Sequence, residues 1–119
     1  IVLIGHSQGA TMTAYYLSTS KQDINGFVAI GMATFAGDPR MDSIRSLQGI
    51  SIPVFDIYGD EDLESIIKNV GARAEAAKKA GNKQFTQKEM EGSNHFFDGK
   101  EEELVDAVAG WLEISPSTQ

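Results

Sequence analysis

Ser7 lies between two glycines in Gly5-His6-Ser7-Gln8-Gly9, directly after the apolar run Ile1-Val2-Leu3-Ile4. A serine hydroxyl is a poor nucleophile at neutral pH. It gains reactivity when a base takes its proton during attack and an acid fixes the tautomer of that base. A G-x-S-x-G turn after a buried strand suits this chemistry, because it holds the serine on a tight strand-to-helix corner with its hydroxyl out of the end of a sheet. The flanking residues Gly5 and Gly9 are expected where neighbouring chain would meet a Cβ. The plainer reading of Ser7 is a turn serine capping the next helix. The glycines and the preceding strand favour the nucleophile.

The partners such a serine needs lie downstream. The chain has two histidines, His6 and His95. His6 precedes the serine, which leaves His95 as the candidate base. It sits in Gly92-Ser93-Asn94-His95-Phe96-Phe97, a flexible turn expected to carry the imidazole with an apolar anchor behind it. Three aspartates in Val54-Phe55-Asp56-Ile57-Tyr58-Gly59-Asp60-Glu61-Asp62 are candidate acids. Asp62 also suits a helix N-cap or first turn before Leu63. The backbone N–H of Gln8, beside a helix N-terminus, is a candidate oxyanion donor.

The order serine, aspartate, histidine, with the serine in this turn, resembles the C-terminal half of the α/β-hydrolase superfamily over essentially the whole chain. The strand Pro53-Val54-x-Asp56-x-Tyr58-Gly59 is also similar to that of an uncharacterised bacterial hydrolase family. The resemblance implies a catalytic role for Ser7, His95 and an aspartate. It ranks Asp62 first among the acids, because Gly59-x-x-Asp62 matches the superfamily's G-x-x-D after this strand. Asp60 is the alternative and Asp56, inside the strand, comes third, with its carboxylate facing a helix layer or a supporting partner. The resemblance gives His6 a packing or supporting role, with its ring turned away from the reacting groups. It also implies a second oxyanion donor from an earlier loop, for which this chain has no segment.

The elements that must position these residues alternate. Residues 1–5 read as a buried parallel strand, and residues 8–19 as a helix with Ala10, Ala14 and Leu17 inward. Small residues at Gly9 and Ala10 should let that helix lie close to the sheet. Asn25-Gly26 punctuates before the strand 27–30, and residues 32–40 read as loop. Residues 41–48 have room for one short helix, and Pro53 opens a third strand. Residues 63–80 carry Leu63, Ile66, Ile67, Val70, Ala74 and Ala77 at helical spacing, closed by Gly81-Asn82. Residues 83–90 read as a polar edge strand. Residues 100–113 read as a helix with Leu104, Val105, Val108, Trp111 and Leu112 on one face. This alternation predicts a mostly parallel sheet in a three-layer α/β sandwich with right-handed crossovers. Residues 1–114 would form a partial α/β-hydrolase domain and 115–119 a polar tail. The short segment between the second and third strands leaves no room for a large lid, so an open site is expected.

Composition excludes several chemistries. The 119 residues make one domain at most, and a net charge of -7 disfavours phosphate-backbone binding to nucleic acid. There is no cysteine, hence no thiol nucleophile, disulfide or thiolate metal site. Histidine and carboxylate spacing offers no metal set, and the chemistry needs no cofactor. No stretch approaches the ~18 apolar residues of a membrane span. Ser7 in place of an acid excludes a haloalkane dehalogenase or epoxide hydrolase. The reading is a serine hydrolase acting on a small acyl substrate, an ester or a related bond. A thioesterase, acyltransferase, lipase or peptidase would share these residues, and a noncatalytic binding module on the same fold is the alternative.

The chain opens at Ile1, inside a strand and without methionine. This reads as a fragment whose partner is the missing N-terminal half of its own domain. Compartment is not legible from such a sequence. Expressed alone, the 119 residues should self-associate through the open edge at Ile1–Gly5 and lack ester hydrolysis. Size-exclusion chromatography and an ester assay test this, and a monodisperse, active monomer would contradict the fragment reading.

Overall fold

The computed structural model describes residues 1–20 and 23–114. Four parallel strands form the sheet: β1 (Val2–His6), β2 (Gly26–Ile30), β3 (Val54–Gly59) and β4 (Phe85–Met90), in the order β1-β2-β3-β4. Pairing runs from Val2 opposite Gly26 to His6 opposite Ile30, and from Val54 opposite Phe85 to Gly59 opposite Met90. The helices are α1 (Gln8–Thr19), α2 (Ser43–Leu47), α3 (Glu64–Ile67), α4 (Val70–Lys79) and α5 (Glu101–Ile114). The polar tail proposed for 115–119 lies outside the described residues.

Strand alternation sorts the side chains into two cores. Phe27, Ala29 and Val54 face one way and pack with Ala10 and Ala14 of α1, Leu47 of α2 and Ala76 of α4. Val28, Phe55 and Ile57 face the other way and pack with Val108 and Trp111 of α5. Phe55 and Trp111 stack with ring centroids 5.5 Å apart. Helices therefore cover both faces, as the three-layer expectation required.

Three local expectations need correction. The first strand is not buried: among the described residues β1 pairs with β2 alone, the open edge expected at Ile1–Gly5 for these residues by themselves, and Ile1 and Ile4 are 77% and 55% exposed. An edge strand has one neighbour, so its apolar side chains lack the cover that β2 and β3 enjoy. On α5, Val105 is 63% exposed and does not share the inward face with Val108 and Trp111. The helix expected over 63–80 is two helices, and Leu63 is exposed. Arg73 occupies the point of the split. Its Nη1 donates to the Ile66 carbonyl at 2.8 Å, and the Asn69 N–H also reaches that oxygen, at 3.3 Å. The acceptor that a continuous helix would offer to the Val70 N–H is thus taken by other donors.

Arg73 also pairs with Asp56. Its Nε donates to Asp56 Oδ2 at 2.8 Å, and both side chains are fully buried. Gln87 on β4 donates to the same carboxylate oxygen and to the Val70 carbonyl. The guanidinium lies over the Tyr58 ring, 5.6 Å from its centroid. Burial, joined by the Glu89 and Asp56 carboxylates, pushes the Tyr58 phenol up from its ordinary range. Asp56 therefore faces a helix layer, as expected of the third-ranked acid. This cluster joins β3, β4 and the α3–α4 break. Asp56 Oδ1 and Arg73 Nη2 have no hydrogen-bond partner among the described residues, so the pair is under-satisfied and sensitive to loss of either member.

Breaking a buried pair leaves an uncompensated charge, which costs about 3–5 kcal/mol. Arg73→Met should lower stability by that amount in chemical denaturation. The double variant Asp56→Leu/Arg73→Met should recover most of it. Equal instability of the single and double variants would show that the charge pair is not what the site depends on.

Candidate active site

A parallel sheet collects the ends of all its strands on one edge, where ligands of open α/β sheets bind. Here Ser7 follows β1, Gly31 follows β2, Asp60 and Asp62 follow β3, and His95 lies on the loop after β4. Ser7 has φ 59° and ψ -126°, a backbone region that non-glycine residues rarely adopt. Its N–H donates to the Ile30 carbonyl at 2.9 Å, and its own carbonyl accepts from the N–H groups of Ala10 and Thr11. The corner is thus held from both sides. A Cβ on Gly5 would stand 2.8 Å from the Ala10 backbone, so a glycine is required there. Gly9 is different, since a Cβ there would meet no atom within 4 Å among the described residues. The crowding expected at both glycines exists at one. Gly9 lies on the outer side of the first turn of α1, away from the sheet contact that Ala10 makes.

The loop after β4 crosses the end of β3 at very short range. A Cβ on Gly59 would lie 2.0 Å from the Ser93 carbonyl oxygen. The Glu61 N–H donates to that oxygen at 2.9 Å, and the Ser93 N–H donates to Asp60 Oδ1 at 3.2 Å. Asn94 shapes the next turn, its Oδ1 accepting from the N–H groups of Phe96 and Asp98. Phe97, at φ 56°, turns inward and is 1% exposed in the α5-side core. Phe96 is 68% exposed. The apolar anchor expected from two phenylalanines is supplied by Phe97 alone.

This folding brings three of the expected residues into one hydrogen-bonded chain. His95 Nδ1 lies 2.7 Å from Asp62 Oδ1, and His95 Nε2 lies 2.8 Å from Ser7 Oγ. An ionised carboxylate can only accept, so Nδ1 carries the hydrogen and Nε2 is left to accept from the serine hydroxyl. The Asp62 carboxylate is fully buried and also accepts from the Leu63 N–H at 2.7 Å. His95 is 8% exposed. Asp60, the alternative acid, is engaged with the Ser93 N–H instead and supports the histidine loop. Gln8 opens α1, where an N–H has no intrahelical acceptor. Such a relay can draw a proton from Ser7 while Asp62 holds the imidazole.

Two features of the site were not expected. The His6 ring does not turn away: its centroid is 5.0 Å from that of His95, and its Nε2 lies 2.9 Å from the His95 carbonyl oxygen. Gly31, at φ +58°, leaves space for the imidazole. A Cβ there would stand 3.2 Å from His95 Cε1 and Nδ1 and 3.4 Å from Asp62 Oδ2. The only sequence signal for Gly31 was a glycine directly after an apolar strand.

Known proteins match this chain at the level of family and fold. The model of a family described as a protein of unknown function, DUF3530, matches residues 1–114. The chain belongs to that family. No curated protein matches it in sequence. Among solved structures, dipeptidyl peptidase 4 from Porphyromonas gingivalis superposes with a TM-score of 0.80 at 15% identity, over 97% of this chain and 19% of that one. The esterase domain of a Rhodothermus marinus protein gives 0.72 at 13% identity, over 93% and 60%. An α/β serine hydrolase homologue from Coxiella burnetii gives 0.69 at 21% identity, over 90% and 46%. The chain therefore has the α/β-hydrolase fold, as the sequence resemblance implied. It spans less than two thirds of the length of each of these three.

Gly31→Ala should displace the His95 ring by a few tenths of an ångström and cost about 1–2 kcal/mol for the left-handed backbone. A crystal structure of the variant and its thermal denaturation measure both effects. An unmoved ring with wild-type stability would show that the space over Gly31 is not needed.

Proposed function

We propose that this family member is a serine hydrolase that cleaves an ester or related acyl bond through an acyl-enzyme. The observation that carries the reading is the continuous relay from Ser7 Oγ through His95 to Asp62, with contacts of 2.8 and 2.7 Å. Ser7 Oγ attacks the substrate carbonyl as His95 Nε2 takes its proton. The negative charge that develops on the carbonyl oxygen is met by the Gln8 N–H at the start of α1. His95 returns the proton to the departing alkoxide, leaving an acyl-serine. Water then attacks that acyl group, giving one proton to His95, and His95 passes that proton to Ser7 Oγ as the acyl–oxygen bond breaks and the acid leaves. Asp62 stays ionised throughout and steadies the imidazolium. A buried, hydrogen-bonded acid is well suited to this, because a low local dielectric strengthens its hold on the charged ring.

The intact protein should be labelled covalently by a fluorophosphonate probe and should hydrolyse p-nitrophenyl esters. Ser7→Ala or His95→Ala should each lower turnover by several powers of ten. Asp62→Asn should cost about 10⁴, since an amide presents the wrong hydrogen to Nδ1. Asp60→Asn should be mild, because the amide oxygen can still accept from the Ser93 N–H. Absence of labelling would favour a noncatalytic binding module, and equal damage from Asp60→Asn and Asp62→Asn would remove the assignment of the acid.

A further inference from the structure

We propose that His6 is a positioning residue for His95, fixing the base against the serine by gripping its main chain. This rests on the serine-hydrolase reading above. Ser7 and His95 come from parts of the sheet that are far apart. Ser7 follows β1, whereas the loop of His95 follows β4 and is fastened to the end of β3 through Asp60, Glu61 and Asp62. The whole of β2 lies between those two attachments. Among the described residues, one hydrogen bond besides the Ser7–His95 contact ties this loop to β1 and its corner, and it is made by His6. A carbonyl oxygen can only accept, so His6 Nε2 carries a hydrogen and donates it to His95 O across 2.9 Å. Two consecutive residues of one rigid corner therefore hold the two ends of His95. Ser7 meets its ring at Nε2 and His6 holds its backbone.

Ring packing reinforces the grip. The His6 and His95 planes are inclined by 32° at 5.0 Å, and Phe96 stands edge-on to both rings, at 6.0 and 5.1 Å. Phe96 is largely exposed, so it adds contact to the pair without anchoring the loop in the core. His6 itself is exposed. Its replacement leaves no hole in the interior, which makes it a clean position to test. Small misplacements of a reacting group cost up to about 10² in rate. Loss of the His6 donor should therefore act on the step that needs alignment and spare substrate binding.

The test compares His6→Phe, which keeps a ring and loses the donor, with His6→Gln, which keeps an N–H donor of similar reach. In the intact protein, His6→Phe should lower kcat for a p-nitrophenyl ester about tenfold or more and leave KM within about twofold. It should slow fluorophosphonate labelling of Ser7 by the same factor, and His6→Gln should restore most of both. Equal thermal midpoints would exclude a general loss of structure. Wild-type kcat in His6→Phe, or a His6→Gln variant as slow as His6→Phe, would overturn the proposal. A second readout needs no turnover: the NMR resonance of the His95 Nδ1 proton in the Ser7→Ala background. His6→Phe should speed its exchange with water, and unchanged exchange would also overturn the role of His6. An inert wild-type protein with normal exchange behaviour across these variants would count against the hydrolase reading as well. An inert protein whose Nδ1 proton still responds to His6→Phe would count against that reading alone.

Discussion

The loop after β4 can reach the acid only because Gly59 has no side chain. Any Cβ at that position would sit 2.0 Å from the Ser93 carbonyl oxygen, far inside van der Waals contact distance. With the hydrogen in place of a methyl, the loop lies directly on the end of β3 and exchanges hydrogen bonds with Asp60 and Glu61. That contact sets the height of His95 above the sheet, and so the 2.7 Å separation from Asp62. Asn94 and the buried Phe97 then fix the direction of the turn. One missing methyl group thus decides whether His95 and Asp62 can meet at all.

The serine corner is built on the opposite principle, stored strain. Ser7 holds a backbone conformation that costs on the order of 1–3 kcal/mol. It persists because its N–H is bound by β2, its carbonyl is bound by the first turn of α1, and Gly5 lets α1 press against β1. Thr11, fully buried, adds a bond from α1 to the Ala33 carbonyl just beyond β2. The Asp62 side has its own support. Asp56 and Arg73 clamp β3 to the helix pair that begins at Glu64, and Arg73 also bonds the Ile66 carbonyl where that pair is divided.

Much of this was legible in the residues, for reasons that can be named. Strand and helix order follow from short apolar runs and helical spacing, and Ser7 and His95 follow from a motif and from the scarcity of histidine. The preference for Asp62 over Asp60 came from a family spacing. In the structure, Asp60 is occupied by the Ser93 N–H and Asp62 by His95. What escaped were effects carried by contacts distant in sequence. The break between α3 and α4 coincides with Arg73 reaching back to Ile66, a contact that periodicity, which reads the segment as one helix, does not carry. The His6 ring is drawn toward His95 by a carbonyl 89 residues away. Gly31 matters because of a ring contributed by a distant loop. Gly9 looks like Gly5 in the motif, yet only Gly5 has a backbone pressed against it.

In the order β1-β2-β3-β4, every strand lies beside its neighbour in the sequence. Each pairing therefore closes a loop of moderate length, and no connection has to thread between two paired strands. The serine corner is complete within the first strand–helix unit and its bond to β2. Asp62 follows the third strand, and His95 follows the fourth. The Ser7 hydroxyl and the His95 ring that faces it, 88 residues apart in the chain, therefore meet only across every pairing of these four strands.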